Sequence, residues 1–130
     1  MKTILIDAVN TFVVRRDDDF EIFKEMRDLL EIFPNRKIIL TGANDEQIKK
    51  FGLDKMPYEI FTLKHDPEKT DPKYFELMLK HFNLPHNDAV YFDHNPEAVK
   101  SAELAGIKSY HYDPDERDLE GLREFLIKSL

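Results

Sequence analysis

Four residues stand where short apolar runs give out, and their types make a chemical set. Asp7 follows Ile4-Leu5-Ile6, Thr41 follows Ile38-Ile39-Leu40, Lys69 closes the polar stretch after Ile60-Phe61, and Asp93 follows Val90-Tyr91-Phe92. A carboxylate, a hydroxyl, an ammonium and a second carboxylate, if brought to one place, can run phosphoryl transfer. One carboxylate attacks phosphorus, while the ammonium and a magnesium ion held by both carboxylates offset charge on the equatorial oxygens. Each residue alone has a blander role. Asp7 can merely cap a loop, Thr41 can satisfy backbone groups at a strand end, and Lys69 can be a solvated lysine before a helix.

These residues converge only if the apolar runs are parallel strands with a common carboxyl edge. The pattern along the chain supports that. Residues 3–7, 37–41, 58–63, 89–93 and 107–112 read as strands, separated by segments of helical period. Phe12 to Asp19 is apolar and then a dense charge cluster, expected as a flap or hairpin above the first strand tip. Asp19 is the expected N-cap of a first helix, whose stripe is Phe20, Phe23, Met26 or Arg27, Leu30 and Phe33, with Pro34-Asn35 as its stop. Asn44 caps a second helix through Gln47. Asp71-Pro72 opens a third, Asn95-Pro96 a fourth that Gly106 ends, and Leu119 to Leu126 form the last. Strand and helix alternate throughout, which predicts a three-layer α/β/α doubly wound domain with a five-stranded parallel sheet, spanning residues 1–130 as one domain.

Composition narrows the function classes. The chain has 130 residues, a formal net charge of -7, no cysteine and no tryptophan. An acidic chain is ill suited to a sequence-independent grip on nucleic acid, so no nucleic-acid partner is expected. Any anionic substrate then depends on local positive charge, from a metal or a helix start. Without cysteine there is no disulfide frame, thiolate zinc site or cysteine nucleophile. The opening apolar run is far shorter than the roughly 20 residues of a membrane span. No membrane contact is expected, and the expected location is cytoplasmic.

Taken with their neighbours, the strand-end residues make motifs. Asp7-Ala8-Val9-Asn10-Thr11, Thr41-Gly42, Lys69-Thr70-Asp71-Pro72 and Phe92-Asp93-His94-Asn95-Pro96-Glu97 resemble, in order and spacing, the four motifs of the haloacid dehalogenase-like (HAD) superfamily. The resemblance covers nearly the whole chain. It implies a magnesium-dependent phosphatase acting through an aspartyl-phosphate on a phosphorylated small molecule or macromolecule. Asp7 would be nucleophile and metal ligand, Asp93 a second ligand, and Val9 a ligand through its backbone carbonyl. Thr41 and Lys69 would hold phosphate, with Thr11, Gly42 and Asn10 lining the substrate position.

The departures from the family pattern carry their own expectations. Val9 stands where the family has a second aspartate, which protonates the leaving group and then activates water; valine does neither. General acid–base catalysis is worth about two to four decades in rate, so weak or altered activity is implied. The other reading is a non-catalytic interaction or regulatory domain with a protein partner. Asn10 replaces a glycine, and asparagine tolerates left-handed backbone better than most residues. His94 follows Asp93 where the family commonly has a further acid. It is a site base, a transition-metal ligand or a surface histidine, and Glu97 is a further candidate ligand. The intervals Asp7 to Thr41 and Gly42 to Lys69 leave no room for a cap domain, so the site is expected to be open. His65, His81, His86 and His111 are expected at the surface, and Tyr91, Tyr110 and Tyr112 at half-buried strand positions.

Overall fold

A computed structural model describes residues 1–130. Its centre is a five-stranded parallel sheet built from β1 (Thr3–Asp7), β4 (Lys37–Thr41), β5 (Glu59–Thr62), β6 (Ala89–Asp93) and β7 (Lys108–His111). The spatial order is β5-β4-β1-β6-β7. β1 therefore pairs with β4 on one side and β6 on the other, with Asp7 opposite Leu40 and Ile6 opposite Phe92. The chain leaves β1 towards one edge and later returns to build the other. That reversal opens a crevice at the carboxyl ends of β1, β4 and β6, where open α/β sheets bind ligands.

Alternating side chains bury both faces of the sheet. Ile4 and Ile6 of β1 join Ile39, Val90 and Phe92 in one core, covered by Met26, Leu29 and Leu30 of α1 (Lys24–Leu30) and Leu122 and Leu126 of α5 (Leu119–Ser129). Leu5, Ile38, Leu40 and Tyr91 point the other way, against Tyr74, Phe75 and Met78 of α3 (Pro72–His81) and Ala102 of α4 (Pro96–Leu104). A fully buried aliphatic side chain contributes about 1.5–3 kcal/mol. Two such cores fix the sheet in place, and with it the positions of its strand ends.

The capping expectations for the later helices match the structure. Asn44 and Gln47 form a reciprocal capping box at the start of α2 (Asp45–Lys50), with bonds of 2.9 and 3.0 Å. Asp71 accepts from the Lys73 amide and Asn95 from the Glu97 amide, each at 2.9 Å, and proline occupies the first turn of both helices. Gly106 follows α4 with φ +90°, a conformation that glycine adopts at little cost.

The first helix differs from expectation. Asp19 is not an N-cap: β3 (Asp19–Ile22) pairs antiparallel with β2 (Val13–Arg16), and α1 begins only at Lys24, with Phe23 as an N-cap that offers no side-chain bond. Asp17 takes a left-handed φ of 55° in the connecting turn. Phe20 thus belongs to the hairpin, where it meets Phe51 edge to face at 4.8 Å. Of the two forms expected above the first strand tip, the hairpin is the one found, and it consumes the first turn of the expected helix. Two further corrections concern tyrosines. Tyr91 is fully buried, not half-buried, and Tyr112 is buried just past the end of β7. No cap domain is present between the sheet's elements, and no helix is long and apolar enough to cross a membrane.

Candidate functional site

The tips of β1, β4 and β6 and the loop before α3 enclose a cleft of about 200 Å³ lined by Asp7, Val9, Thr41, Gly42, Lys69 and Asp93, together with His94 and His65. Six sequence-selected residues thus meet at one place. Two do not line it. Thr11 is buried beside it and donates to Asp7 Oδ2 at 2.7 Å, so its hydroxyl orients the carboxylate. Asn10 is exposed, with φ 71°, and lines a separate hollow next to Tyr112 and Arg117. A larger hollow of about 510 Å³ lies under the hairpin, beside Arg15, Arg16 and Arg117, and contains none of the strand-end residues. Size does not mark the chemistry here. The titratable groups do.

Lys69 ties the cleft together. Its Nζ lies 2.5 Å from Asp7 Oδ1 and 2.9 Å from Asp93 Oδ2, and donates more distantly to the Leu40 carbonyl and the Tyr91 hydroxyl. Its side chain is 14% exposed, and those of Asp7 and Asp93 are 5% and 0% exposed. Burial works to strip the ammonium of its proton, but the two carboxylates outweigh it and hold the Lys69 pKa above its ordinary value. Burial likewise works to raise Asp93, and Lys69 and the surrounding donors outweigh it, so that its carboxyl stays ionised far below the usual range.

Each carboxylate divides its two oxygens. Asp7 Oδ1 and Asp93 Oδ2 face Lys69, whereas Asp7 Oδ2 and Asp93 Oδ1 face Nδ1 of His94 at 2.6 and 3.3 Å. The bond to Asp7, then that to Asp93, raises the His94 pKa to about 10. At neutral pH the ring is an imidazolium, and the four charges of the cluster cancel. His94 is thus a half-buried member of the cluster and not a surface histidine, its Nδ1 turned to the carboxylates of Asp7 and Asp93. The sequence leaves His94 open between a site base, a transition-metal ligand and a surface histidine, and the structure brings it into the cluster.

The parts played by two tyrosines were invisible in the sequence. The Tyr91 hydroxyl donates to Asp93, and burial together with that carboxylate pushes its pKa well up. The Tyr74 hydroxyl, fully buried, donates to the Thr41 carbonyl at 2.8 Å and fixes the end of β4 against α3. Thr41 itself accepts from the Ala43 amide at 3.1 Å, which shapes the turn through Gly42. His65 is exposed, as expected, yet belongs to the cleft wall: Nε2 lies 2.5 Å from Gln47 Oε1 and Nδ1 lies 2.8 Å from Glu68 Oε1. Glu97 is exposed on α4 and stands outside the cluster of Asp7, Asp93 and His94, whose ligand atoms all lie within 4.8 Å of one another.

That cluster has the donor atoms to hold a divalent metal ion. For magnesium the two carboxylate oxygens suit the ion in type and charge, and the imidazole nitrogen does not. The fit to magnesium is therefore incomplete.

No protein-family model matches the chain, and no curated protein sequence matches it. Solved structures do. A HAD-family enzyme of Bacteroides thetaiotaomicron, an aspartate-to-alanine mutant in complex with magnesium and inorganic phosphate, superposes with a TM-score of 0.67 at 12% identity, over 85% of this chain and 93% of that one. An uncharacterised protein of Corynebacterium glutamicum gives 0.62 at 15% identity over 96% and 94%. One from Listeria monocytogenes serotype 4b gives 0.61 at 18% identity over 84% and 76%.

Proposed function

Taking as premise that this chain has the HAD-like fold, we propose that it is a phosphohydrolase of HAD type with slow turnover, in which Asp7 attacks the phosphorus of a phosphomonoester. The observation that supports this most is the setting of Asp7. It is a buried carboxylate at the tip of the central strand, with Thr11, Lys69 and His94 fixing both of its oxygens. A nucleophile held this way loses little freedom on reaching the transition state.

Each step in the mechanism belongs to residues of the cleft. An Asp7 oxygen forms a bond to phosphorus as the bond to the leaving oxygen breaks. Lys69, next to that oxygen, offsets charge on the phosphoryl group, and the Thr41 hydroxyl and the backbone of the Gly42 turn hold a peripheral oxygen. A divalent ion at Asp7 and Asp93, with the Val9 carbonyl, would add positive charge against the same oxygens. Val9 lines the cleft without an ionisable group, so the leaving oxygen must take its proton from solvent or be a good leaving group already. Water then attacks the aspartyl-phosphate without that aspartate as its base, so both steps lack the usual proton transfer and both are slowed.

The cleft is smaller than the roughly 300–1,000 Å³ usual for small-molecule pockets. It suits a phosphoryl group, with the remainder of the substrate outside, so a bulky phosphomonoester on a small molecule or a macromolecule is the expected ligand class. A second reading, a non-catalytic binding domain, is favoured by the same valine, which leaves the cleft without the family's acid–base residue. Hydrolysis of an aryl phosphate by the wild type and by Asp7→Asn decides between them. Activity lost in Asp7→Asn supports the nucleophile. Activity that survives it refutes the assignment, and an inert wild type leaves the binding reading standing.

A further inference from the structure

The outer carboxylate oxygens, Asp7 Oδ2 and Asp93 Oδ1, converge on a nitrogen. Both strand tips that carry them are buried, and the inner oxygens are already taken by Lys69. A metal at this position would be held by one oxygen from each carboxylate and by Nδ1 of His94, ligand atoms that all lie within 4.8 Å of one another. Magnesium demands near-ideal octahedral oxygen coordination and gives up its water reluctantly, whereas imidazole suits zinc, cobalt and other later first-row ions.

We propose that His94 changes the metal of this site, so that the cluster of Asp7, Asp93 and His94 takes a borderline first-row ion of the zinc and cobalt type in preference to magnesium. The inference rests on the reading of this cleft as a HAD-type site and concerns its cofactor alone. Charge follows from the same donor set. With neutral His94 bound to the ion, two carboxylates, one ammonium and a dication leave one net positive charge facing the cleft. A third carboxylate in place of His94 would leave none. The histidine thus makes the loaded site more attractive to an anionic phosphoryl group.

The test is metal binding to the protein without substrate, which keeps it separate from turnover. Melting temperature is followed against zinc, cobalt and magnesium in metal-free buffer, because an ion that binds only the native state must raise it. Cobalt absorption and the paramagnetic shift of the His94 ring report the nitrogen ligand directly. For the wild type, stabilisation by cobalt or zinc is expected at concentrations at least about tenfold below any response to magnesium. His94→Asn should lose that response by a similar factor, and His94→Asp should move the preference to magnesium. His65→Gln, which alters the only other cleft histidine, should leave cobalt binding in place. Should His94→Asp not fold, His94→Asn still decides.

The proposal is overturned if magnesium stabilises the wild type as well as cobalt does, if no divalent ion stabilises it, or if cobalt binding survives His94→Asn. A loss of binding in His65→Gln would also overturn it, by placing the ion on His65 and Glu68. Hydrolysis lost in Asp7→Asn with the metal preference absent would sink this inference and leave the phosphatase reading intact.

Discussion

Replacing Lys69 by methionine keeps the length and most of the volume of the side chain and removes its charge. The consequence depends on burial. An exposed ion pair contributes about 0–1 kcal/mol, whereas removing one member of a buried pair costs about 3–5 kcal/mol. Lys69 faces two carboxylates whose side chains are 5% and 0% exposed, so the second figure applies. A ceiling comes from titration. The variant can escape the uncompensated charge by protonating Asp93, which at pH 7 costs about 1.4 kcal/mol for each pH unit above an ordinary carboxylate pKa, or about 4 kcal/mol. At pH 5 the same escape costs about 1.5 kcal/mol. The expected loss is therefore about 3–4 kcal/mol at pH 7, or roughly 10–15 °C in melting temperature for a chain of this size, and it shrinks on acidification.

The wild type supplies the opposite limb. Its Asp93 pKa is depressed, so that contribution to stability is present above the unfolded value of 3.8 and is lost as pH falls below it towards the folded pKa. The gap between the two proteins should narrow steadily from pH 7 to 4. The chain has no tryptophan, so far-UV circular dichroism in urea, with chelator present, is the assay. A second substitution, Asp93→Asn in the Lys69→Met background, should recover part of the loss by removing the orphaned charge. A loss under about 1 kcal/mol at pH 7, or one that does not change with pH, would refute the account of Lys69 as the counter-charge of both carboxylates.

Other expectations are more direct. Val9→Asp should raise aryl phosphate turnover by about two to four decades by supplying a proton donor and then a base, and an unchanged rate would refute valine as the cause of slow turnover. In metal-free protein the raised His94 pKa makes its contribution to stability full below 6.5 and lost as pH rises through about 10. His94→Gln should lack that alkaline decline in melting temperature between pH 7 and 10.

Much of this architecture follows from patterns visible in the chain. The alternation of Ile4, Leu5 and Ile6 between two cores, and the caps at Asn44, Asp71 and Asn95, are local signals that tertiary packing did not override. The stretch from Asp19 to Phe23 is different. Phe20 and Phe23 are three apart, which suits a helix, while Phe20 and Ile22 alternate, which suits a strand. Too few residues separate them for a period to decide. Pairing with Val13 to Arg16 across the turn settled the matter for the strand.

Within the site, strand-end carboxylates are legible because a sheet brings its ends together. Which of its three candidate roles His94 takes, and that Tyr91 takes part at all, are not, because both depend on which way one side chain turns. Tyr91 sits two residues before Asp93, on the same face of β6, so strand alternation is the signal that could have paired them.

The central position of β1 has a kinetic side. Its neighbours β4 and β6 come later in the chain, and the contacts at its tip span 62 residues to Lys69 and 87 to His94. Closing such loops costs chain entropy before any contact repays it. The cluster is thus expected to assemble after the folding barrier has been crossed. Substitutions there should then speed unfolding far more than they slow folding, so that the lifetime of the native state, more than the rate of reaching it, is set at the tip of one strand.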